Sequence, residues 1–142
     1  MNVPSQHHGG DPDRLLWLAV SALAQQFYPA DLAQDRWLEY YASHFNTVEI
    51  NNTFYRLPEA TAFAVWKGRV PKDFLYAVKA SQFLTHVKKL KDPEEPLERL
   101  FSRVRILGRH LGPMLYQLPP RWNVDVERLS VFLQSLPKRR RM

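Results

Sequence analysis

The stretch FNTVEINNTFYR, residues 45–56, decides the fold class of this chain. At its centre, residues 47–51 form a short β-branched run bounded by polar residues, which is typical of a strand. Two similar runs follow, FLYAVKA at 74–80 and MLYQL at 114–118, and the second is stopped by a Pro-Pro pair. The sequence therefore predicts three strands over this part of the chain.

Helical patterns separate these strands. A helix is predicted from Asp31 or Asp35 to about His44, and residues 52–57 and 81–93 are predicted to be loops. Amphipathic patterns after the three strands predict helices near 60–68, 94–107 and 124–136. Strands joined by long helical returns indicate right-handed crossovers and a parallel sheet, so the predicted fold class is α/β, open or closed.

The ends of the chain differ from its centre. Residues 1–13 are polar and rich in Gly and Pro, which predicts a disordered leader. Residues 14–26 fit either a helix capped by Asp13 or a buried strand, because periodicity does not separate the two in so short an apolar run. Residues 138–142 form a basic tail. The predicted organisation is one domain over residues 14–137 between the leader and the tail.

Composition excludes several classes of protein. Hydrophobic residues make up 45% of the 142 residues and charged residues 24%, a mixture typical of a globular domain. The absence of cysteine excludes disulfide scaffolds, cysteine nucleophiles and Cys-ligated metal sites. The longest apolar run, residues 15–20, is far shorter than the roughly 20 residues of a membrane helix. We therefore expect a cytoplasmic protein that does not insert into a membrane.

Charge is concentrated in the second half of the chain. The net charge is +6, with −2 over residues 1–70 and +8 over residues 71–142, and the run 138–141 contributes four of the positive charges. A basic tail fits a solvated terminus, or attraction to nucleic acid phosphates. The sequence carries no zinc finger, RNA-recognition signature or helix-turn-helix pattern, so nucleic acid is not the expected partner.

Polar residues follow each predicted strand at its carboxyl end, where parallel α/β folds bind ligands. They are Glu49, Asn51, Asn52, Thr53 and Tyr55 after the first strand, Lys79, Ser81, Thr85 and His86 after the second, and Gln117 after the third. Glu49 and Asn51 share one strand face and Val48 and Ile50 the other, so the carboxylate is expected to face the sheet interior with Lys79 as its partner.

These residue types suggest roles at a catalytic or binding site. Glu49 fits a general acid or base, with Lys79 as its electrostatic partner or an anion clamp, and His86 is a third candidate catalytic residue, of a type that often transfers protons. Hydrogen bonds from Asn51, Tyr55 and Gln117 would orient a substrate. The alternative is a buried polar network that fixes the packing of the fold. The aromatic residues near these positions, Phe54 among them, are predicted to belong to the core.

No cofactor is predicted from the motifs. Neither a Gly-x-Gly-x-x-Gly fingerprint nor a Gly-x-x-x-x-Gly-Lys-Ser/Thr loop follows any predicted strand, so the two commonest nucleotide signatures are absent. Glu49 and His86 are residue types that bind metal, but the spacing offers no third and fourth ligand beside them. The cofactor therefore stays unknown, and no metal site is predicted.

The same residues carry a resemblance to a known family. The chain strongly resembles the YecE-like family, a bacterial and archaeal domain of unknown function. The matching segments are FYP at 27–29, WLEYY at 37–41, FNTVEINNTFYR at 45–56, AVKA at 77–80, TH at 85–86, LGP at 111–113 and QLPP at 117–120. The resemblance covers about residues 27–136.

The resemblance implies a TIM-barrel-like fold of about 250 residues, of which this chain would hold roughly the N-terminal half. It implies no assigned reaction. The matching Glu49, Asn51, Thr53, Tyr55, Lys79, His86 and Gln117 would lie around the family's pocket, with Thr53 among the substrate-binding residues. Two departures stand out: the family's opening Gly-x-Ser-Gly-Trp loop is absent around Trp17, and the later barrel strands are missing. A frameshift near each end is a hypothesis that explains both.

Three interpretations follow. The first is a truncated member of an uncharacterised α/β-barrel family that binds or converts a small polar or anionic ligand. The second is a non-functional product of a broken gene, and the third is a nucleic-acid-binding protein that uses the basic second half. Truncation would leave open sheet edges, through which two copies would pair as a homodimer.

Overall fold

Three parallel strands form the centre of the fold. The computed structural model describes residues 27–138, and the predictions for residues 1–26 and for the last four residues of the basic tail lie outside this range. The strands are β1 (Thr47–Ile50), β2 (Leu75–Lys79) and β3 (Leu111–Leu115). They lie side by side in chain order, and both pairs are parallel. The predicted α/β class with a parallel sheet is confirmed.

Helices return the chain from the end of each strand to the start of the next. The helix Val126–Ser135 begins where Asp125 caps it, because the Asp125 carboxylate accepts a hydrogen bond of 3.0 Å from the backbone N–H of Arg128 in the first turn. The α-helices within residues 27–138 are α1 (Trp37–His44), α2 (Asn52–Tyr55), α3 (Ala60–Gly68), α4 (Glu94–Val104) and α5 (Val126–Ser135). Shorter 3₁₀ segments span Gln34–Arg36 and Arg105–His110, and a π-helical segment spans Phe83–Val87.

One face of the sheet is packed by these helices. Alternate residues Ile50, Tyr76 and Val78 are fully buried in a single apolar core that also contains Trp66 of α3. The Tyr76 hydroxyl donates to the Trp66 carbonyl oxygen at 2.9 Å, so β2 and α3 are joined by a satisfied polar contact inside the core. This packed face fixes the sheet against its helices.

The third strand begins three residues earlier than predicted, at Leu111 rather than Met114. Between Tyr76 and Val78 of β2, the register passes from Leu111 to Met114 of β3, which is a β-bulge. Pro113 has no N–H to offer the ladder, and a Cβ at Gly112 would lie 3.0 Å from the Tyr76 carbonyl oxygen. The Gly-Pro pair therefore belongs to the strand, as a bulge, where a sequence pattern would predict a loop.

The two predicted loops after β1 and β2 also contain helical structure. Residues 52–55 form α2, a single turn, and the segment after β2 opens with the π-helical residues 83–87. Lys89, Leu90 and Asp92 then take positive φ angles of 48°, 65° and 39°, a region that residues other than glycine rarely adopt. The buried Leu90 side chain holds this turn in place.

Tyr116, the residue after β3, has a buried hydroxyl group and a raised pKa. Its ring packs edge-on against Phe132 of α5, with ring centroids 5.0 Å apart. Its hydroxyl is buried without a hydrogen-bond partner among the described residues. Burial raises the pKa of Tyr116 from 10.0 to about 12, because the charged phenolate would lose its hydration.

Candidate functional site

Lys79, Phe54 and His86 meet at the carboxyl ends of β1 and β2. Lys79 is the last residue of β2, Phe54 lies on α2 after β1, and His86 lies on the π-helical segment after β2. The Lys79 ammonium nitrogen is 4.9 Å from the centroid of the Phe54 ring. The His86 ring meets the same phenyl ring edge-on, with centroids 5.1 Å apart. We call these three residues the Phe54 cluster.

The hydrogen bonds of Thr85 favour one tautomer of the His86 imidazole. The Thr85 hydroxyl donates to the Ser81 carbonyl oxygen at 3.1 Å and lies 2.9 Å from His86 Nδ1. Because the hydroxyl has one proton and a carbonyl can only accept, both contacts are satisfied when His86 Nδ1 carries hydrogen and donates to Thr85. The neutral imidazole then presents an unprotonated Nε2, which can accept a proton or a hydrogen bond.

Thr53 lies beneath the cluster and joins its two supporting elements. Its side chain is fully buried, and its hydroxyl lies 2.9 Å from the Ile50 carbonyl oxygen and 2.6 Å from that of Lys79. One hydroxyl proton is shared between these two acceptors. The residue holds α2 against the end of β2 and so positions Phe54 beside Lys79. With its hydroxyl committed to backbone, Thr53 acts here as a positioning residue.

Glu49 does not pair with Lys79, and the predicted ion pair is wrong. Glu49 lies on the same sheet face as Lys79, but it stands opposite Ala77, which is two residues before Lys79 in β2. The Glu49 side chain is exposed. The Lys79 ammonium turns to the Phe54 ring instead. Asn51 also leaves the predicted alternation, because β1 ends at Ile50 and Asn51 has helical backbone angles of φ −83° and ψ −24°.

The remaining predicted residues lie at the edges of this region. Tyr55 is 73% exposed and its ring contacts Phe54 edge-on, with centroids 5.0 Å apart. Together with Arg56, Ser81 and Arg99 it lines a cleft of about 350 Å³ beside the cluster. Gln117 is exposed two residues beyond the end of β3 and makes none of the hydrogen bonds found among residues 27–138.

The structure thus brings Lys79 and His86 together and adds Phe54, which the sequence assigned to the core. A lysine over the face of a phenyl ring is attracted by the ring's quadrupole and keeps its ammonium hydrogens for other acceptors. The signal that could have revealed Phe54 is its place in the turn directly after β1, next to the strand that ends in Lys79. Within residues 27–138, no three metal-ligating side chains gather, and no helix is long and apolar enough to cross a membrane.

Parallel strands in chain order, helical returns and polar groups at the carboxyl ends define a partial β/α-barrel-type protein. This fold class, predicted from the sequence, is confirmed. The family described as "Protein of unknown function DUF72" matches residues 17–142, and the chain belongs to this family. The YecE-like resemblance is thereby confirmed as well.

Known relatives agree with this assignment. The chain is 32% identical over 101 residues to UPF0759 protein YecE of Escherichia coli K12, covering 70% of this chain and 37% of YecE. It is 28% identical over 109 residues to UPF0759 protein YunF of Bacillus subtilis, covering 72% and 39%. The crystal structure of a DUF72 family protein from Thermotoga maritima matches 88% of this chain and 46% of its own, with 28% identity and a TM-score of 0.62. The chain spans less than half the length of these relatives.

Proposed function

We propose that the Phe54 cluster binds a small polar or anionic ligand through Lys79. The observation that carries this proposal is the Lys79 ammonium, which is held on an aromatic ring and forms no ion pair with a described carboxylate. A half-buried cation without a paired anion favours an anionic ligand, because the ligand supplies the missing charge. The position at the carboxyl ends of parallel strands supports the same conclusion.

His86, whose ring meets the Phe54 ring edge-on, would act on the same ligand. Its Nε2 accepts a hydrogen bond from a ligand hydroxyl when neutral and donates one to an anion when protonated. Glu49 is the candidate second acid–base group if the ligand is converted as well as bound. Asn51, Tyr55 and Gln117 stay candidates for orienting the ligand. The activity of the full-length relatives belongs to the same proposal.

Ligand binding can be measured through the NMR signals of the His86 side chain. We would follow its imidazole resonances by NMR during titration with inorganic phosphate and with acetate. In the Lys79→Met variant, which keeps the aliphatic stem and removes the charge, we expect at least a tenfold loss of affinity, about 1.4 kcal/mol. Lys79→Arg should retain binding, and Lys72→Ala, a change at an exposed lysine before β2, should leave it unchanged.

Two results would overturn the proposal. One is a His86 resonance that shifts no more with phosphate or acetate than it does with an equal concentration of simple salt. The other is equal binding by the wild type and Lys79→Met, which would assign the anion to a different cation.

We also propose that two copies of this chain pair through the open edges of the sheet. β1 and β3 are the outer strands of the described sheet, and Leu75 and Leu115 are each 41% exposed on its open face. Unpaired strand edges favour such association. Sedimentation equilibrium should give a dimer mass, and a monodisperse monomer over a wide concentration range would rule the pairing out.

A further inference from the structure

A second cavity lies between the segment that follows β2 and the segment that follows β3. It has a volume of about 410 Å³ and is lined by the basic side chains Lys88, Lys89, Lys91 and Arg128 around Trp122, with Asp92 and Val87 completing the lining. We call it the basic cavity. It shares no lining residue with the Phe54 cluster, and both segments follow strands at the carboxyl end of the sheet.

The cations of the basic cavity are only partly neutralised. Lys88 pairs with Asp92 at 3.5 Å, and Arg128 pairs with Asp125 at 3.1 Å. Lys89 and Lys91 are exposed and form no ion pair with a described carboxylate. Two positive charges therefore remain free at the rim, a balance that favours a ligand with a dianionic group such as a phosphate monoester.

One wall of the basic cavity is flat and fixed. The Arg128 guanidinium carbon lies 5.7 Å from the centroid of the Trp122 ring. The same guanidinium donates to the Lys89 carbonyl oxygen at 3.5 Å while it pairs with Asp125, so it bridges the two segments that form the cavity. A guanidinium beside an indole forms a cationic aromatic surface on which a planar base can stack.

The backbone of the cavity is held in a rare conformation. Lys89, Leu90 and Asp92 have positive φ angles, although none of them is glycine. The turn is kept by the buried Leu90 side chain and by hydrogen bonds from Leu90 N–H to the Leu84 carbonyl and from Lys91 N–H to the Lys88 carbonyl, both 3.0 Å. Such strained residues cluster at ligand-binding segments.

We infer that the basic cavity binds a phosphate monoester that carries a planar aromatic ring, the chemistry of a mononucleotide. Lys89 and Lys91 would bind the phosphate, and the Trp122–Arg128 wall would stack against the ring. The cavity volume lies within the range of about 300 to 1,000 Å³ that is usual for small-molecule sites. This inference does not rest on the Phe54 cluster and stands if the function proposed there fails.

Tryptophan fluorescence tests the inference directly, with adenosine monophosphate, adenosine and inorganic phosphate as separate probes. The nucleotide should quench the emission and bind at least tenfold tighter than adenosine. The quenching should disappear in Trp122→Phe. In the double variant Lys89→Ala/Lys91→Ala, which changes only exposed side chains, nucleotide affinity should fall at least tenfold, and the exposed Lys72→Ala should serve as the matched control.

Four outcomes would overturn the inference. Equal affinities for the nucleotide and adenosine would remove the role of the phosphate. Quenching that persists in Trp122→Phe would show that the aromatic ring of the ligand does not stack on Trp122. Unchanged binding in the double lysine variant would show that Lys89 and Lys91 do not bind the phosphate. Tight, strongly salt-dependent binding of a single-stranded oligonucleotide without binding of the mononucleotide would also contradict it, and would indicate an extended nucleic-acid surface instead.

Discussion

The two faces of the same three strands have opposite environments. On the packed face, Ile50, Tyr76 and Val78 are completely buried against the helices. On the open face, the intervening residues include the exposed Glu49 and the half-buried Lys79. Because neighbouring residues of a strand point to opposite sides, the difference reflects what lies above each face and not the strands themselves.

This contrast separates what holds the fold from what is available to a ligand. Parallel sheets are usually covered on both faces, yet the described residues cover only one. The packed face carries the apolar core formed among residues 27–138. The open face carries the polar groups of the Phe54 cluster and matches the part of a β/α barrel that faces its interior. The following variants test that division, from the largest expected effect to the smallest.

The largest effect is expected on the packed face. Trp66→Ala removes a fully buried side chain and should lower the free energy of unfolding by about 3 to 5 kcal/mol. Leu115→Ala removes an apolar side chain that is 41% exposed on the open face, and should cost less than about 1 kcal/mol. Chemical denaturation followed by circular dichroism measures both.

Equal losses for Trp66→Ala and Leu115→Ala would show that the open face is covered in solution, for example by a second copy. The wild-type transition also matters. A cooperative transition contradicts the interpretation of this chain as a non-functional gene product, whereas a broad, featureless one supports it.

The second largest effect is expected at Thr53, whose hydroxyl joins the ends of β1 and β2. Thr53→Val keeps the shape of the side chain and leaves the Ile50 and Lys79 carbonyl oxygens without their donor. We expect a loss of about 1 to 3 kcal/mol in the free energy of unfolding, because buried acceptors are left unsatisfied. Thr53→Ser keeps the hydroxyl and should lose much less. The opposite order would show that the methyl group matters more than the hydrogen bonds.

A smaller effect is expected on the open face, between Lys79 and Phe54. A double-mutant cycle of Lys79→Met and Phe54→Leu isolates the interaction of the ammonium with the ring. We expect a coupling of about 0.5 to 1 kcal/mol, as for other partly exposed cation–π pairs. A coupling of zero would mean that Lys79 does not rest on the ring in solution, and the open face would then lack a fixed cation.

The smallest effect at neutral pH is expected for Tyr116→Phe, since it removes a buried hydroxyl without a described partner. Burial raises the pKa of Tyr116 from 10.0 to about 12, so between these values the unfolded chain loses a proton that the native state keeps. Stability is therefore complete below pH 10 and falls as the pH rises toward 12. Denaturation curves over this range should show a shallower fall for Tyr116→Phe, and parallel curves would contradict the assignment.

The sequence predicted the fold where local pattern and packing agree. The β-branched run of β1 and the helix Ala60–Gly68 were placed correctly, since their side chains alternate or repeat as their burial requires. The start of β3 was predicted three residues late, at Met114, because a Gly-Pro pair such as Gly112 and Pro113 is typical of a loop. A bulge that accommodates both residues depends on the neighbouring strand and leaves no local signal.

The sequence predicted the position of two residues of the Phe54 cluster but not their contacts. Lys79 and His86 were correctly expected at one end of the sheet, because parallel strands bring their carboxyl ends together. Their contacts were not, since these depend on the register that sets Glu49 opposite Ala77 and on the unpredicted turn that carries Phe54. Whether these residues bind a ligand stays a prediction that the titrations above can decide.

The bulge in β3 has a consequence for how this segment tolerates changes in length. Ala77 of β2 stands opposite two residues of β3, Gly112 and Pro113, so Leu111 and Met114 face the same side of the sheet although three positions separate them. Deleting one of the two residues between Leu111 and Met114 would leave a single residue opposite Ala77, so the ladder would become regular and Met114 would stay opposite Val78. This segment can therefore lose one residue without moving any other side chain of β3 to the opposite face of the sheet.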